Sequence, residues 1–414
     1  MRDKALGVGQ EGGRSLGMGR WLYLLALVWV LALSIPMAVA ETGPPVQVPA
    51  EFCDLYNELH SQLSSLSKRL TAMWDGKKGE TAFGVELLVA NSNRGEVLLE
   101  ERVLKAALLT LDRLKELGIA MVALSIQYPM LNRETPRSYE YRQFYKKVVQ
   151  GARARGYLVV VEMGTFFAEP EFTKYRFSYK GSTIEKFKTG LLEMAEVIVR
   201  ELRPDYLTIL SEPQTASTNT GLDLGVSSFA QMIRYVAAGL DRSGVKLGAG
   251  AGTWEAMAHF EALAGIPELD YLDLHIYPVQ RDYVLDRATR VAALARARGK
   301  RVSVGEAWLY KVAQAELGRI PHVEAFARDV YSFWQPLDAA FLDLLVALCH
   351  HIGAEFCSFF WMRYLYGYLD YDRSTAPLSP KEVTDKIDFL AGRRILRGAP
   401  SETGLRLKAL CGSN

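Results

Sequence analysis

Cysteine is scarce in this chain, and where it occurs it excludes more than it suggests. Four cysteines stand among 414 residues, at 53, 349, 357 and 411. None has the close pairing of a zinc site. A net excess of charge is missing as well: 49 Lys and Arg against 47 Asp and Glu leave a formal +2. That gives no electrostatic case for nucleic acid or for an anionic membrane surface. The sequence has no long basic patch, charge block, low-complexity tract or internal repeat. No G-x-G-x-x-G follows the first apolar strand, which argues against a nucleotide-binding sheet. The first strand carries no His-x-His of the kind metal-dependent barrel hydrolases use. His350-His351 falls on a helix end with no second ligand set. No metal and no cofactor are expected, and the expected partner is neither nucleic acid nor a stable membrane partner.

One long uncharged run is present, Trp21 to Ala40, with Arg14 and Arg20 before it. It ends in Ala38-Val39-Ala40, the small-x-small form of a signal-peptidase site, followed by Glu41. About twenty apolar residues can also span a bilayer. The segment reads as a signal peptide or as a membrane anchor, and the body of the protein as secreted or periplasmic. Cys53 and Cys411 flank the mature domain and could staple its two ends in an oxidising compartment. Cys349 and Cys357 sit in apolar surroundings and read equally as buried free thiols or as a bridge.

Residues 41–81 read as a Pro-rich linker and an amphipathic helix, with Leu55, Leu59, Leu63, Leu66 and Leu70 on one face. From residue 82 the chain alternates. Apolar strand segments begin near 83, 120, 157, 206, 246, 271, 301 and 355, each followed by helical sequence. Eight such units predict an α/β fold, a (β/α)₈ TIM barrel over residues 82–414 with an extra N-terminal helix, because parallel strands need crossover helices. A doubly wound open sheet is the alternative. The run Gly248-Ala249-Gly250-Ala251-Gly252 reads as a strand of small residues filling a tight layer of the barrel.

In such a barrel the carboxyl ends of the strands form the active face. Those ends are polar here, where buried strands should be apolar. Glu86 lies on the first strand, Gln127 and Tyr128 end the second, and Glu162 ends the third. Ser211-Glu212-Pro213 ends the fourth, and Trp254 follows the fifth. Asp273, His275 and Tyr277 share one face of the sixth by the period of two. Glu306 ends the seventh and Trp361 the eighth. Glu86 and Glu162 divide between site and structure. Tyr364, Tyr366, Tyr368 and Tyr371 read as sugar subsites or as a packed loop.

Taken together, Glu212-Pro213, Glu306, His275-Ile276-Tyr277 and Trp361 resemble clan A of the glycoside hydrolases, over about residues 82–400. The resemblance implies a retaining β-glycosidase acting on a poly- or oligosaccharide as a monomer. Glu212 would be the protonated acid/base, held so by burial and by repulsion from its partner. Glu306 would be the ionised nucleophile, with the two carboxyls roughly 5–5.5 Å apart. Tyr277 would hold Glu306, His275 would lie near Glu212 or the sugar, and Trp361 would form the floor of the sugar site. Ser211, Glu86, Gln127, Glu162 and Trp254 are the further candidate substrate contacts. Two departures point to a divergent family. Ser211 stands where the clan usually has Asn, and no Arg ends the first or second strand. A sugar-binding barrel without catalysis and an envelope polysaccharide transglycosylase are the competing readings.

Overall fold

The computed structural model describes residues 47–412. The expected signal peptide or anchor at residues 21–40 lies outside the described residues. The eight strands are β1 (Ala82–Glu86), β2 (Met121–Tyr128), β3 (Leu158–Thr165), β4 (Tyr206–Thr208), β5 (Lys246–Gly252), β6 (Tyr271–Ile276), β7 (Arg301–Ala307) and β8 (Phe356–Phe359). They close into one barrel in sequence order, every pair parallel, with β8 returning to β1 through Ala82↔Phe356 and Phe83↔Cys357. The open sheet is thereby excluded, and the (β/α)₈ barrel is the fold.

Each strand alternates between two cores. Side chains facing outward join the large apolar layer under the helices, among them Val122, Val159, Leu272 and Val304. Those facing inward change character along the barrel axis. Near the amino ends Met121, Ala123, Val160, Tyr206, Tyr271 and Phe356 make a small apolar plug. Above it Asp273, fully buried, accepts hydrogen bonds from Ser211 (3.1 Å) and Ser303 (2.7 Å). The carboxyl-end layer is acidic. The small residues of β5 are what admit the plug: a Cβ on Gly248 would stand 2.1 Å from a ring carbon of Tyr271.

The N-terminal helix Cys53–Met73 buries Leu55, Leu59, Leu63, Leu66 and Leu70 and packs against helix Gln335–Ile352. Truncating one of those leucines to alanine would cost about 2–5 kcal/mol. The helix Gln335–Ile352 is apolar enough to resemble a membrane span, but two thirds of its apolar window is buried in the protein core. Under the loop after β7, Lys311 is fully buried, paired with Asp329 at 2.9 Å and with Asp338, which Tyr368 also contacts. This ionic knot pins the chain that leaves Glu306.

One local expectation changes: strand β3 runs past Glu162 to Thr165, because its ladder with Ser125–Tyr128 of β2 continues where the apolar pattern stops. The helix after β1 starts at Glu101; Gly95, at φ 59°, breaks the preceding 3₁₀ turns. A short helix, Pro213–Thr220, follows Glu212 directly, with proline at its first position where the missing N–H costs nothing. All four cysteines are free thiols, so the expected Cys53–Cys411 staple is not made. Cys53 lies against the carbonyls of Val48 and Pro49, whereas Cys411 packs beside Gly118. Tyr364, Tyr366 and Tyr368 are buried, the packed-loop alternative.

Candidate active site

Two acids come to one imidazole. Glu212 leaves β4 in the left-handed region, φ 52°, a conformation unusual for a residue with a Cβ, and Pro213 then starts the next helix. Its carboxyl meets His275 Nδ1 through Oε1 at 2.8 Å and accepts from the Thr215 hydroxyl through Oε2 at 2.6 Å. Glu306 arrives from β7 across a bulge: Asp273 pairs Ser303 and Leu274 pairs Val304, but His275 pairs Glu306, so Gly305 is the extra residue. Its Oε2 lies 3.6 Å from the same Nδ1 and accepts from the Tyr277 hydroxyl at 2.6 Å. Two oxygens within 2.8 and 3.6 Å of one atom cannot be farther apart than those distances combined. The acids therefore share one pocket.

The other ring nitrogen of His275 faces Glu162 at 2.8 Å and Asp273 at 3.4 Å. The geometry toward both is that of ion pairs, since Nε2 makes no well-angled hydrogen bond. Among the described residues, the ion pairs of Glu212 and Glu306 are with His275 alone. Burial works against a charge on His275, yet Glu162 and Glu306 raise its affinity for a proton well above the ordinary value. Burial pushes Glu212 up as well, but the hydrogen bond and the charge of His275 outweigh it and leave that carboxyl below its usual range. Glu306 goes the other way. Burial, together with Glu162, Glu86 and Glu212, holds its carboxyl well up against the pull of His275. The directions run against the expected order, with Glu212 lowered and Glu306 raised. The imidazolium is bonded to Glu212 and only near Glu306.

The remaining candidates are partly gathered. Glu162 is in contact with His275, within β3 rather than at its end. Trp254 meets Tyr277 edge-on, ring centres 6.0 Å apart. Trp361 is partly exposed; Arg363 covers one of its faces at 4.1 Å, and Phe326 and Phe360 meet its edge. Glu86, 1% exposed, accepts from Asn91 Nδ2 at 2.5 Å, and burial lifts its carboxyl to about 8. Gln127 lines the end of β2 with an Oε1 that has no partner. Ser211 was expected to meet a ligand, but its hydroxyl is taken by Asp273 inside the barrel.

Sequence reasoning missed Glu255. Its carboxylate accepts from the backbone N–H groups of Gln214 and Gly252, both 2.7 Å, and so ties the loop after Glu212 to the end of β5. Burial and the nearby Glu212 lift it to about 7. Only an acid beside Trp254 hinted at it. Glu162, His275 and Glu306 also have donor atoms within 4.8 Å of one another, a spacing a metal ion would accept. Two cavities lie elsewhere. One of about 640 Å³ opens at the amino ends of the strands, beside Lys246, Arg301 and Glu355. A groove of about 1190 Å³ runs past Tyr128 and Tyr175. The acids are singled out by chemistry and not by cavity size.

No protein-family model and no curated protein matches this chain. Among solved structures, it is similar to the exo-β-1,4-mannosidase Op5Man5 from Opitutaceae bacterium strain TAV5, with 14% identity and a TM-score of 0.51. That match covers 80% of this chain and 59% of the mannosidase, so the chain spans less than two thirds of that protein's length. A GH5_18 protein from Bifidobacterium longum subsp. longum, solved with Manβ1-4GlcNAc, is 13% identical at a TM-score of 0.49, covering 80% of this chain and 78% of its own. An endo-1,4-β-D-mannanase from Thermotoga petrophila RKU-1 is 10% identical at 0.46, covering 76% and 100%. At these identities the likeness is one of fold.

Proposed function

We propose that this chain is a retaining β-glycoside hydrolase of the clan A kind, with Glu306 as nucleophile and Glu212 as acid/base. One observation carries the reading. Acids from the ends of β4 and β7 meet at a single imidazole nitrogen, and the second of them is held by Tyr277. The neighbours of similar fold support a sugar-cleaving role. Ionised Glu306 attacks the anomeric carbon while protonated Glu212 donates to the leaving oxygen. Glu212 then takes a proton from the water that releases the sugar.

His275 stands between the two acids, 2.8 Å from Glu212 Oε1 and 3.6 Å from Glu306 Oε2, where its charge favours the ionised form of each. Trp361 offers its uncovered face to the apolar side of a sugar.

The test uses aryl β-glycosides and β-linked glucans and mannans. Glu306→Ala is expected to lower kcat by roughly 10³ or more. Glu212→Ala should lose roughly 10²–10⁴ on poor leaving groups and far less on activated aryl ones. The first-formed sugar should keep the β configuration by NMR. A sugar-binding barrel without catalysis is favoured by one observation, the engagement of Ser211 with Asp273. It predicts tight binding and no turnover in the unaltered protein.

A further inference from the structure

One side of the barrel mouth is fenced by aromatic rings. The chain between β3 and the helix Ile184–Val197 leans back over the loops that precede it. There the Tyr179 hydroxyl donates to the carbonyl of Tyr128, at the end of β2, at 2.6 Å. The Lys174 N–H donates to the carbonyl of Asn93, in the loop after β1, at 2.7 Å. Just before Lys174, Phe172 meets Phe326 edge-on, ring centres 5.7 Å apart, a contact distance for aromatic rings. Phe326 belongs to the helix His322–Arg328, which follows β7. It also touches Tyr310 at 5.9 Å and Trp361, at the end of β8, at 5.4 Å. Loops from β3 and β7, which stand opposite each other in the closed ring of strands, therefore meet. The fence runs from β7 past β8, β1 and β2 to β3. Between β4 and β6 the ties join neighbouring loops: Glu255 holds Gln214, and Trp254 meets Tyr277.

The fence stands behind Trp361 as seen from Glu212. Glu212 leaves β4 and Trp361 ends β8, the opposite strand of the ring. Tyr277, which donates to Glu306, meets Phe360 at 6.0 Å, and Phe360 meets Trp361 at 4.6 Å. The indole thus adjoins the proposed nucleophile. In a retaining glycosidase the held sugar has its anomeric carbon at the nucleophile and its leaving oxygen at the acid. The far end of that sugar, where a longer chain would continue, points away from Glu212 and toward Phe326 and Phe172.

We propose that the pocket accepts only the non-reducing end of a β-linked chain and removes one sugar at a time, with Phe326 and Phe172 as the stop behind the terminal residue. This rests on the glycosidase reading above and names the part of the polysaccharide that the site takes. A chain bound at mid-length needs a path on both sides of the acid pair, and the contact between these two rings closes one of them. The leaving chain departs over the β4–β6 side, where no limit on its length is set.

The experiment uses the full chain with cellotetraose and mannotetraose, each unmodified and with a methyl cap on the 4-hydroxyl of the non-reducing terminal sugar, and with soluble β-glucan and β-mannan. Single sugars should be the first products from unmodified tetraoses, and polymer viscosity should fall slowly. The added methyl, set against a filled wall, should lower kcat/KM by about 10- to 200-fold. Phe172→Ala leaves the contact of Phe326 with Trp361 in place but opens the wall, and should shrink that penalty to within about threefold. Phe172→Tyr keeps a ring there and should retain the penalty. Thermal melting and turnover of 4-nitrophenyl β-monoglycosides show that both variants are folded. Internal cleavage with rapid viscosity loss in the unaltered chain would overturn the proposal. So would equal rates on capped and uncapped tetraoses, or a penalty undiminished in folded Phe172→Ala. Should the unaltered chain turn over no probe, the catalytic reading fails, and calorimetry with the same tetraoses decides this inference separately. Binding of the uncapped forms alone supports it, and binding of both forms or of neither overturns it.

Discussion

His275 Nδ1 lies 2.8 Å from Oε1 of Glu212, and the same nitrogen stands 3.6 Å from Oε2 of Glu306. One cation thus serves both acids, unequally. The neighbouring carboxylates raise the imidazole well above its ordinary value and so favour its charged form. His275→Asn removes that charge. Both carboxyls then bind protons more tightly, Glu212 because it loses a hydrogen bond and a charge, Glu306 because it loses a charge. kcat/KM reports the free enzyme, in which Glu212 is lowered and Glu306 raised, so the acidic limb falls at Glu212 and the basic limb at Glu306. Both limbs of kcat/KM against pH should move to higher pH, with a fall of roughly 10²-fold at the optimum. Limbs that stay in place would mean His275 is uncharged in the working enzyme.

Tyr277→Phe tests the second contact in isolation. The hydroxyl donates to Glu306 Oε2 at 2.6 Å and stabilises its ionised form. A hydrogen bond to a charge is worth about 1.5–3 kcal/mol, or roughly one to two pH units of the acid's titration. Only the basic limb, set by Glu306, should move up, by about that amount, while the acidic limb stays. The ring is kept, so the thermal midpoint should change little. A shift of both limbs would assign Tyr277 to packing rather than to Glu306.

Much of this site was legible because barrels place chemistry where hydrophobic patterning fails. A buried strand that ends in Glu212-Pro213 or Glu306 has few structural excuses. The period of two on β6 put Asp273, His275 and Tyr277 on one face before any coordinates. The opposite shift of the two acids was not legible. It depends on which acid the imidazole approaches more closely, a matter of tenths of an ångström set by the register around Gly305. The helix Pro213–Thr220 was invisible because Gln214–Thr220 has no apolar period. Ser211 was misjudged because a residue at a strand end faces either the ligand or the barrel interior. Asp273, two strands away, decides which.

Gly305 is the residue that lets Glu306 arrive in register. A Cβ there would stand 2.3 Å from Asp273 Oδ2. That carboxylate is fully buried and fixed by Ser211 and Ser303, so it has no room to yield. Gly305→Ala should cost about 1–3 kcal/mol in urea unfolding and lower activity by displacing Glu306. Gly392→Ala is the counter-example. It lies within helix Pro380–Arg397 with nothing within 4 Å of its added methyl, and it should stabilise by about 1 kcal/mol. Equal effects at the two positions would show that the close approach to Asp273 is not real.

Glu86 makes a prediction about stability. Burial lifts its carboxyl from 4.5 to about 8 in the folded chain. The folded state therefore holds a proton that the unfolded chain releases between those values. Stability on account of this group is full below about pH 4.5, declines as pH rises, and is lost by about pH 8. At roughly 1.4 kcal/mol per unit the decline amounts to a few kcal/mol. Glu86→Gln keeps an acceptor for Asn91 but has no proton to lose. Its urea midpoint should differ little from the unaltered chain, or fall below it, at pH 5. It should then rise relative to that chain step by step to pH 8. Parallel pH curves for the two proteins would mean that Glu86 is already compensated in the folded state.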